Sequence, residues 1–264
     1  MIDVQNQKDK RNIPIQKVGV KDVEIPLKIA RKPVDGSLDS TVVYAKVRMS
    51  VGLPSQYKGT HMSRFIEILN DYRKEALSVD DIERILIDMK KRLDATTSYL
   101  KFSFKYFIEK TAPKSRNKSL MCYDCAFEGD LDENNNFKLF LETKVPLTTL
   151  CPCSKEISDY GAHNQRAIVK VKITYDNDKN IWLEDLIKTI ENCASCEIYP
   201  LLKREDEKFV TESAYNNPKF VEDIIRDVVI QMESNEIINY YKVEVEAQES
   251  IHTHNAWAMQ ERTK

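Results

Sequence analysis

The first half of the chain alternates between two spacings of apolar residues. Where every second residue is apolar, the pattern predicts a strand with one buried face; where apolar residues recur every three to four positions, it predicts a helix. Ser78 precedes one such helix and is a suitable N-cap. The predicted elements are strands at 18–29 and 41–51 around a turn at 33–40, helices at 63–76 and 79–93, and strands at 96–110 and 119–128.

The second half repeats this order after a polar turn at 129–136. The arrangement of two strands, two helices and two strands in each half predicts an α+β fold with the helices on one face of the sheet. The repetition suggests duplication, with a flexible N-terminal arm at 1–17 and modules at 18–132 and 133–264. The predicted elements of the second half are strands at 137–145 and 166–175, helices at 182–190 and 220–232, a strand at 240–247 and a weakly marked strand after Glu249.

Composition and charge exclude several classes of function. The 264 residues carry 40 basic and 42 acidic side chains, a net charge of −2, so no overall basic field attracts nucleic acid or an anionic membrane. Only six glycines are present, and their spacing matches neither a P-loop nor a dinucleotide fingerprint. No apolar stretch suits a signal peptide or a membrane span, so we expect a cytoplasmic protein whose six cysteines are thiols, ligands or nucleophiles.

The densest group of chemically versatile residues is 151-CPCSKEISDYGAHNQR-166. Cysteine and histidine suit Zn²⁺ or Fe²⁺, and a catalytic metal site needs only three protein ligands and an open position. Cys151 and His163 are therefore candidate ligands. On spacing alone, an equally good interpretation has Cys151 and Cys153 as small buried residues and His163 as an ordinary loop residue.

Two further segments, 203-KREDEKFVTE-212 and 249-ESIHTHN-255, allow both a functional and a structural interpretation. The first mixes carboxylates with cations, which is typical of a solvated charged loop. The second places His252 and His254 two residues apart, so that in an extended chain both imidazoles would face one side. That geometry suits a metal ion or an acid–base pair, and an exposed strand end explains the segment equally well.

Two pairs of cysteines, Cys122 with Cys125 and Cys193 with Cys196, have the spacing of a zinc knuckle. Residues three apart on a strand face opposite sides, which disfavours a site with four thiolate ligands for the first pair. The segment 59-GTHMSRF-65 opens a helix, where it could bind a phosphate or simply cap the helix.

The chain resembles the type IB GTP cyclohydrolase I family over nearly its whole length. The resemblance is carried by the segments at 59–65, 151–166 and 249–256, together with 199-YPLLKREDEKFVTE-212 and 217-NPKFVED-223. The resemblance implies tandem tunnelling-fold modules, each an antiparallel four-stranded sheet with two helices on one face. It also implies a homotetrameric barrel with active sites at subunit interfaces. The implied reaction uses Zn²⁺, Mn²⁺ or Fe²⁺ and hydrolyses GTP to 7,8-dihydroneopterin triphosphate and formate, the first step of folate synthesis. No nucleic acid or membrane is implied as a partner.

The resemblance also assigns roles to individual residues. Cys151 matches a catalytic cysteine and metal ligand, and His163 and Glu207 match metal ligands. His252 matches a fourth ligand or an acid–base residue, so Cys151, His163 and His252 are the expected catalytic residues. Glu222 matches the carboxylate that binds the purine, since guanine presents N1–H and its 2-amino group side by side. The triphosphate needs cations, for which the candidates are Lys155, Arg166, Arg64, Lys203 and Arg204.

Three alternative functions stay open on the sequence. An archaeal-type relative would use Fe²⁺ and give 7,8-dihydroneopterin cyclic phosphate. A tunnelling-fold nitrile reductase of queuosine synthesis would use NADPH and a covalent thioimide at a cysteine. A non-catalytic zinc-binding interaction protein would use the two Cys-x-x-Cys pairs. Many relatives have proline where this chain has Glu205, which lies close to the expected ligand Glu207.

Overall fold

The computed structural model of the chain describes residues 5, 7–34, 37–73, 76–176 and 179–264. Residues 1–4 and 6 of the expected arm, and 35–36 of the expected turn, lie outside the described residues. The strands are β1 (Ile15–Val34), β2 (Ser37–Leu53), β3 (Ala76–Leu77), β4 (Ser98–Thr111), β5 (Lys118–Leu131), β6 (Phe137–Leu150), β7 (Asn164–Tyr175), β8 (Cys196–Glu197), β9 (Ile238–Ala247) and β10 (Ala256–Thr263). The helices are α1 (Met62–Tyr72), α2 (Val79–Arg92), α3 (Pro152–Ile157), α4 (Leu183–Glu191), α5 (Arg204–Asn216) and α6 (Val221–Ser234).

The α+β class and each predicted strand and helix are confirmed, and the weakly marked strand after Glu249 is β10. The prediction of two helices in the second half was wrong, because α3 and α5 are additional helices. Interpreting 203–212 as a solvated loop was also wrong, since most of this segment forms α5 and Asp206 within it is buried.

The chain divides into two compact units, Met1–Lys105 with Ala126–Leu141 and Tyr106–Cys125 with Glu142–Lys264. Strands β4 and β5 contribute residues to both units, as does β6. The division therefore does not follow a single cut in the chain. The modules at 18–132 and 133–264 stay a prediction.

In the first unit the strands pair in the order β3-β1-β2-β4. The β1–β2 pair is antiparallel, with Leu27 opposite Val43, and both side chains are buried. Helices α1 and α2 bury one face each, and the buried residues of α2 include Ile82, Ile85, Leu86 and Met89, which recur at helical spacing. Ser78 begins α2 as predicted, and its amide and hydroxyl both donate to the carboxylate of Asp81.

In the second unit the strands pair in the order β10-β9-β7-β6-β5-β4, and β8 adds to β6. Strands β7 and β9 are antiparallel with Ala167 opposite Ala247, so the start of β7 lies beside the end of β9. The end of β6 lies at the same edge, because the amide of Cys151 donates to the carbonyl of His163 at 3.1 Å. The loops that follow β6 and β9 and the loop that precedes β7 therefore lie next to each other. The start of α6 is close to them, because the amide of Lys219 donates to the carbonyl of Leu150.

A buried ion cluster ties β4 to α4 and β8 within this unit. The ammonium of Lys110 lies 2.7 Å from Glu191 and 2.9 Å from Glu197. Burial alone would raise the pKa of Glu197, but hydrogen bonds from Lys188 and Lys110 outweigh it and lower that pKa. Because both carboxylates are paired with Lys110, the cluster avoids the cost of an uncompensated buried charge.

Helix α5 is held by one buried carboxylate at its N-terminus. Asp206 accepts hydrogen bonds from the amides of Lys114, Ser115 and Lys203 at 2.8–2.9 Å and from the Ser115 hydroxyl at 2.6 Å. Burial raises the pKa of Asp206, but these hydrogen bonds outweigh that effect and hold the pKa well below its usual range. The turn between β4 and β5 is therefore fastened to the start of α5.

We expect Asp206→Asn to lower the melting temperature by about 5–10 °C, because an amide cannot accept all four hydrogen bonds. Glu205→Gln, an exposed change one residue earlier, is the matched control and should leave the melting temperature unchanged. The carboxylate's contribution should be complete above its unfolded pKa of about 3.9 and should be lost as the pH falls toward the lower folded pKa. Equal melting temperatures for Asp206→Asn and Glu205→Gln would contradict this assignment.

Among the described residues, no helix is both long and apolar enough to cross a membrane. The cytoplasmic location stays a prediction.

Candidate active site

A pocket of about 410 Å³ lies in the second unit, where the ends of β6 and β9 meet the starts of β7, α6 and β10. Its wall includes residues more than one hundred positions apart in the sequence. Four of the residues singled out from the sequence line it together: Cys151, His163, Glu222 and His252. His254, the second predicted acid–base histidine, lines it as well.

Cys151 lies at the N-terminus of a short helix. It is the N-cap of α3, and its sulfur accepts a hydrogen bond from the amide of Ser154 at 3.4 Å. The Ser154 hydroxyl donates to the Cys151 carbonyl at 3.2 Å and accepts from the amide of His163 at 3.1 Å. Pro152 occupies the first turn, where its missing N–H costs nothing. One serine therefore sets the backbone positions of both Cys151 and His163.

His163 faces two polar groups through its Nδ1 atom. Gln165 Oε1 lies 2.9 Å away, and the Ser250 hydroxyl lies 3.4 Å away. The amide nitrogen of Gln165 donates in turn to Glu249 at 3.1 Å. The other carboxylate oxygen of Glu249 is buried in the pocket wall without a hydrogen-bond partner. Such an oxygen is suited to accept a hydrogen bond or a proton from a bound molecule.

His252 and His254 stack on each other, with ring centroids 5.2 Å apart and planes inclined by 16°. The segment from 250 to 254 bends instead of running extended, so the predicted extended geometry was wrong. Both rings still lie on the same side of the chain and line the pocket, and both are exposed. An imidazole side chain can both donate and accept a proton, so two of them in the pocket wall are suited to exchange protons with a ligand.

Glu222 lies in the first turn of α6, and the preceding segment is fastened to a loop after α4. The side-chain amide of Asn217 donates to the carbonyls of Ala194 and Ser195, and the Lys219 ammonium donates to the carbonyl of Cys193. The Ser195 hydroxyl also accepts from the amide of Leu150, next to Cys151. The same loop thus positions the Cys151 side and the Glu222 side of the pocket.

The cations proposed for a triphosphate lie elsewhere. Lys155 donates to the carbonyl of Tyr215 at the end of α5, and its ammonium lies 4.4 Å from the centre of the Tyr215 ring. Arg166 lines a neighbouring pocket of about 350 Å³, and Lys203 is the N-cap of α5. In the first unit, Arg64 donates to the carbonyl of Arg92. None of these four cations lines the pocket, as far as the described residues go, and neither does Arg204.

Glu207 is exposed on α5 and also does not line the pocket. In the described part of the chain, no three His, Cys, Asp or Glu side chains converge as a metal site would require. The donors that line the pocket nevertheless suit a divalent metal, since a thiol, imidazoles and a carboxylate with an unpartnered buried oxygen are its usual ligands. The pocket's donors therefore fit the metal that the sequence implied.

The two Cys-x-x-Cys pairs do not form a four-thiolate centre in the described structure. Burial raises the pKa of Cys125 to about 12 and that of Cys193 to about 11. These two thiols stay protonated at neutral pH and pack as small apolar groups.

Sequence reasoning missed several residues that line the pocket, three of which carry long polar side chains. Gln165, Lys219 and Glu249 occur within the quoted motifs GAHNQR, NPKFVED and ESIHTHN, yet no role was predicted for them. Alternation along β7 could have indicated Gln165, because residues two apart on a strand share a face and His163 lies two positions earlier. Lys219 gave no such signal, since its contacts with Cys193 and Asp227 depend on the folded chain.

Comparison with known proteins identifies the relatives of this chain. Residues 1–258 match the family described as type I GTP cyclohydrolase folE2. The chain is 52% identical over 262 residues to GTP cyclohydrolase FolE2 of Citrifermentans bemidjiense, covering 99% of this chain and 95% of that protein. It is 50% identical over 264 residues to GTP cyclohydrolase FolE2 of Geobacter sulfurreducens, covering 100% and 99% of the two chains.

Among solved structures, the chain resembles a uricase from Bacillus fastidious with a TM-score of 0.59 and 7% identity, covering 94% of this chain and 93% of that one. It also resembles the urate oxidase of Bacillus sp. TB-90 with a TM-score of 0.52 and 11% identity, covering 95% and 100%. These neighbours have tunnelling-fold-like structures, and at such low identity the likeness shows the fold alone.

Proposed function

Because this chain belongs to the type I GTP cyclohydrolase FolE2 family, we propose that it hydrolyses GTP to 7,8-dihydroneopterin triphosphate and formate with a divalent metal. One structural observation carries the proposal: the pocket that gathers Cys151, His163, Glu222 and His252 from three separate segments. These residues supply a soft ligand, imidazoles and a carboxylate, which are the groups that this chemistry needs.

Glu222 binds the guanine base. Its two carboxylate oxygens accept the N1–H and the 2-amino group in parallel, which fixes the orientation of the purine. The position in the first turn of α6 suits an anionic side chain, because the N-terminal end of a helix carries partial positive charge. The anchored 217–219 segment fixes the start of α6 beside the pocket, so a base bound at Glu222 would present its C8 atom toward Cys151 and the histidines.

Cys151 and His163 would hold the divalent metal, with His252 as a further ligand or an acid–base residue. When bound, such a metal acidifies a water molecule to a pKa of about 7 and so provides a nucleophile at neutral pH. Glu207 stays in the proposal as a carboxylate ligand on the resemblance alone, because the structure leaves it exposed on α5.

The histidines transfer protons in two hydrolytic steps. The first adds water at C8 and opens the imidazole ring to a formamide, which requires a proton on the departing ring nitrogen. The second adds water to the formamide and releases formate, leaving a free amine. The ribose then opens, rearranges and closes onto that amine with loss of one water, so one water is consumed overall. We assign these proton transfers to His252 and His254, because their rings stack on each other and line the pocket.

The triphosphate needs cations, and the basic residues proposed for it from their positions in the motifs are Lys155, Arg166, Arg64, Lys203 and Arg204. The homotetramer with active sites between subunits is a proposal that rests on the family resemblance, and the cytoplasmic location is a proposal that rests on the sequence pattern. A native mass of about four chain masses would support the homotetramer, and a monomeric mass in the active enzyme would contradict it.

We expect metal-stripped protein to release no formate from GTP until Mn²⁺, Zn²⁺ or Fe²⁺ is added back singly. Formate and the pterin would be followed together, and the product mass would distinguish the linear triphosphate from the cyclic phosphate of the alternative. Folded protein that releases no formate with any of the three metals would overturn the proposed function.

A further inference from the structure

The side chain of Gln165 lies between those of His163 and Glu249 in the pocket wall. It lies two residues after His163 on the same face at the start of β7. The β7–β9 register pairs Ala167 with Ala247, and the amide of Gln248 donates to the carbonyl of Arg166 at 2.8 Å. Extending this antiparallel register by one more pair places Gln165 opposite Glu249. The strand geometry therefore puts the Gln165 amide between an imidazole and a carboxylate.

The carboxylate decides which way the Gln165 amide points. An ionised carboxylate only accepts hydrogen bonds, so the group that faces Glu249 at 3.1 Å must be the Nε2 donor of Gln165. The Oε1 acceptor of Gln165 must then face His163 Nδ1, at 2.9 Å. An acceptor facing Nδ1 requires that the proton of the neutral imidazole be on Nδ1. The lone pair is consequently on Nε2.

We infer that Gln165 is a positioning residue that fixes His163 in the Nδ1–H form, with Glu249 as the group that orients its amide. This inference rests on the proposed function, in which His163 is a metal ligand. A neutral imidazole binds a metal through its unprotonated nitrogen, and an acceptor on the other nitrogen raises the ligand's basicity. The Ser250 hydroxyl, 3.4 Å from Nδ1, does not decide the tautomer because a hydroxyl can either donate or accept.

The decisive measurement is the tautomer of His163 in metal-free protein. Histidine would be selectively ¹⁵N-labelled and long-range ¹H–¹⁵N correlations recorded at about pH 8, where an ordinary imidazole is neutral. The His163 signals would be identified by their absence in His163→Gln. We expect the Nδ1–H form, although free imidazole side chains in water favour Nε2–H. If His163 of the wild-type protein carried its proton on Nε2, the inference would be overturned. This measurement on the wild-type protein does not depend on whether a Gln165 variant folds.

Two substitutions of nearly equal shape separate orientation from simple packing. Gln165→Glu keeps an acceptor for His163, with one proton shared between the facing carboxyls of residue 165 and Glu249, so the Nδ1–H form should persist. Gln165→Met removes the acceptor, so His163 should shift toward Nε2–H. Ser250→Ala is the control and should leave the tautomer unchanged. An unshifted tautomer in folded Gln165→Met would show that Gln165 only ties β7 to β9.

A second readout is Zn²⁺ affinity, measured by competition with a chromophoric chelator. Gln165→Met should weaken binding about 10–100-fold, the usual cost of losing such an outer hydrogen bond, whereas Gln165→Glu should stay within about threefold of wild type. Equal affinity of Gln165→Met and wild type would contradict the inference. Both readouts omit GTP, so their failure would leave the formate result standing, and failure of formate release would leave the tautomer result standing.

Discussion

Replacing Cys151 by alanine should lower metal-dependent formate release by at least about a thousandfold. The expected loss corresponds to the several kcal/mol that a correctly held metal contributes to a hydrolytic step. The variant should also lose Zn²⁺ affinity, because the sulfur is the softest donor in the pocket. Formate release would be measured with saturating GTP and each metal in turn, beside a chelator competition for Zn²⁺.

Cys153→Ala is the matched control for this prediction. Cys153 lies on the same short helix, two residues after Cys151, and is exposed outside the pocket. Its replacement should leave formate release within about twofold of wild type, because a surface substitution of this kind removes little. Similar losses in both variants would indicate damage to α3 instead of a specific role for the Cys151 sulfur.

Helix α5 shows what the sequence could not predict about the fold. Its N-terminus is fixed by Asp206, whose partner Ser115 lies 91 residues earlier in the chain. In the sequence, Asp206 stands in a run of carboxylates and cations and has the pattern of a solvated surface. In the folded chain its side chain has no exposed area. Local pattern predicts elements that bury one apolar face, whereas α5 depends on a long-range polar contact.

In the candidate site, too, the residues that the sequence placed correctly differ physically from those that it did not. Residues next to strand ends, such as Cys151 and His163, come together because antiparallel pairing brings those ends to one edge of the sheet. Long cationic side chains are different, since several acceptors compete for each ammonium. Lys155 is engaged by the carbonyl of Tyr215, although its motif suggested a phosphate. A residue's position in a motif therefore predicted the location of its backbone correctly, but it did not predict the contacts of a long flexible side chain.

Glu222→Gln should lower kcat/KM for GTP about 100–1000-fold. Hydrogen bonds to a charged acceptor contribute about 1.5–3 kcal/mol each, and guanine offers two donors side by side. A glutamine presents one acceptor and one donor, so its NH₂ group would oppose a donor of the base. Asp223→Asn is the control with the same loss of charge one residue later. Asp223 accepts from the amide of Phe220 at 2.9 Å, a contact that an asparagine oxygen can keep.

Inosine triphosphate turns this prediction into a test of the contact itself, because it lacks the 2-amino group. Wild type should lose about tenfold in kcat/KM on changing from GTP to inosine triphosphate, the value of one charge-assisted hydrogen bond. Glu222→Gln should discriminate between the two nucleotides by less than about twofold, since its single acceptor serves only one donor of the base and inosine triphosphate still offers N1–H. If the variant kept the full wild-type discrimination, the 2-amino group would have to be recognised by another residue, and Glu222 would act on the reaction in some way other than by holding the base.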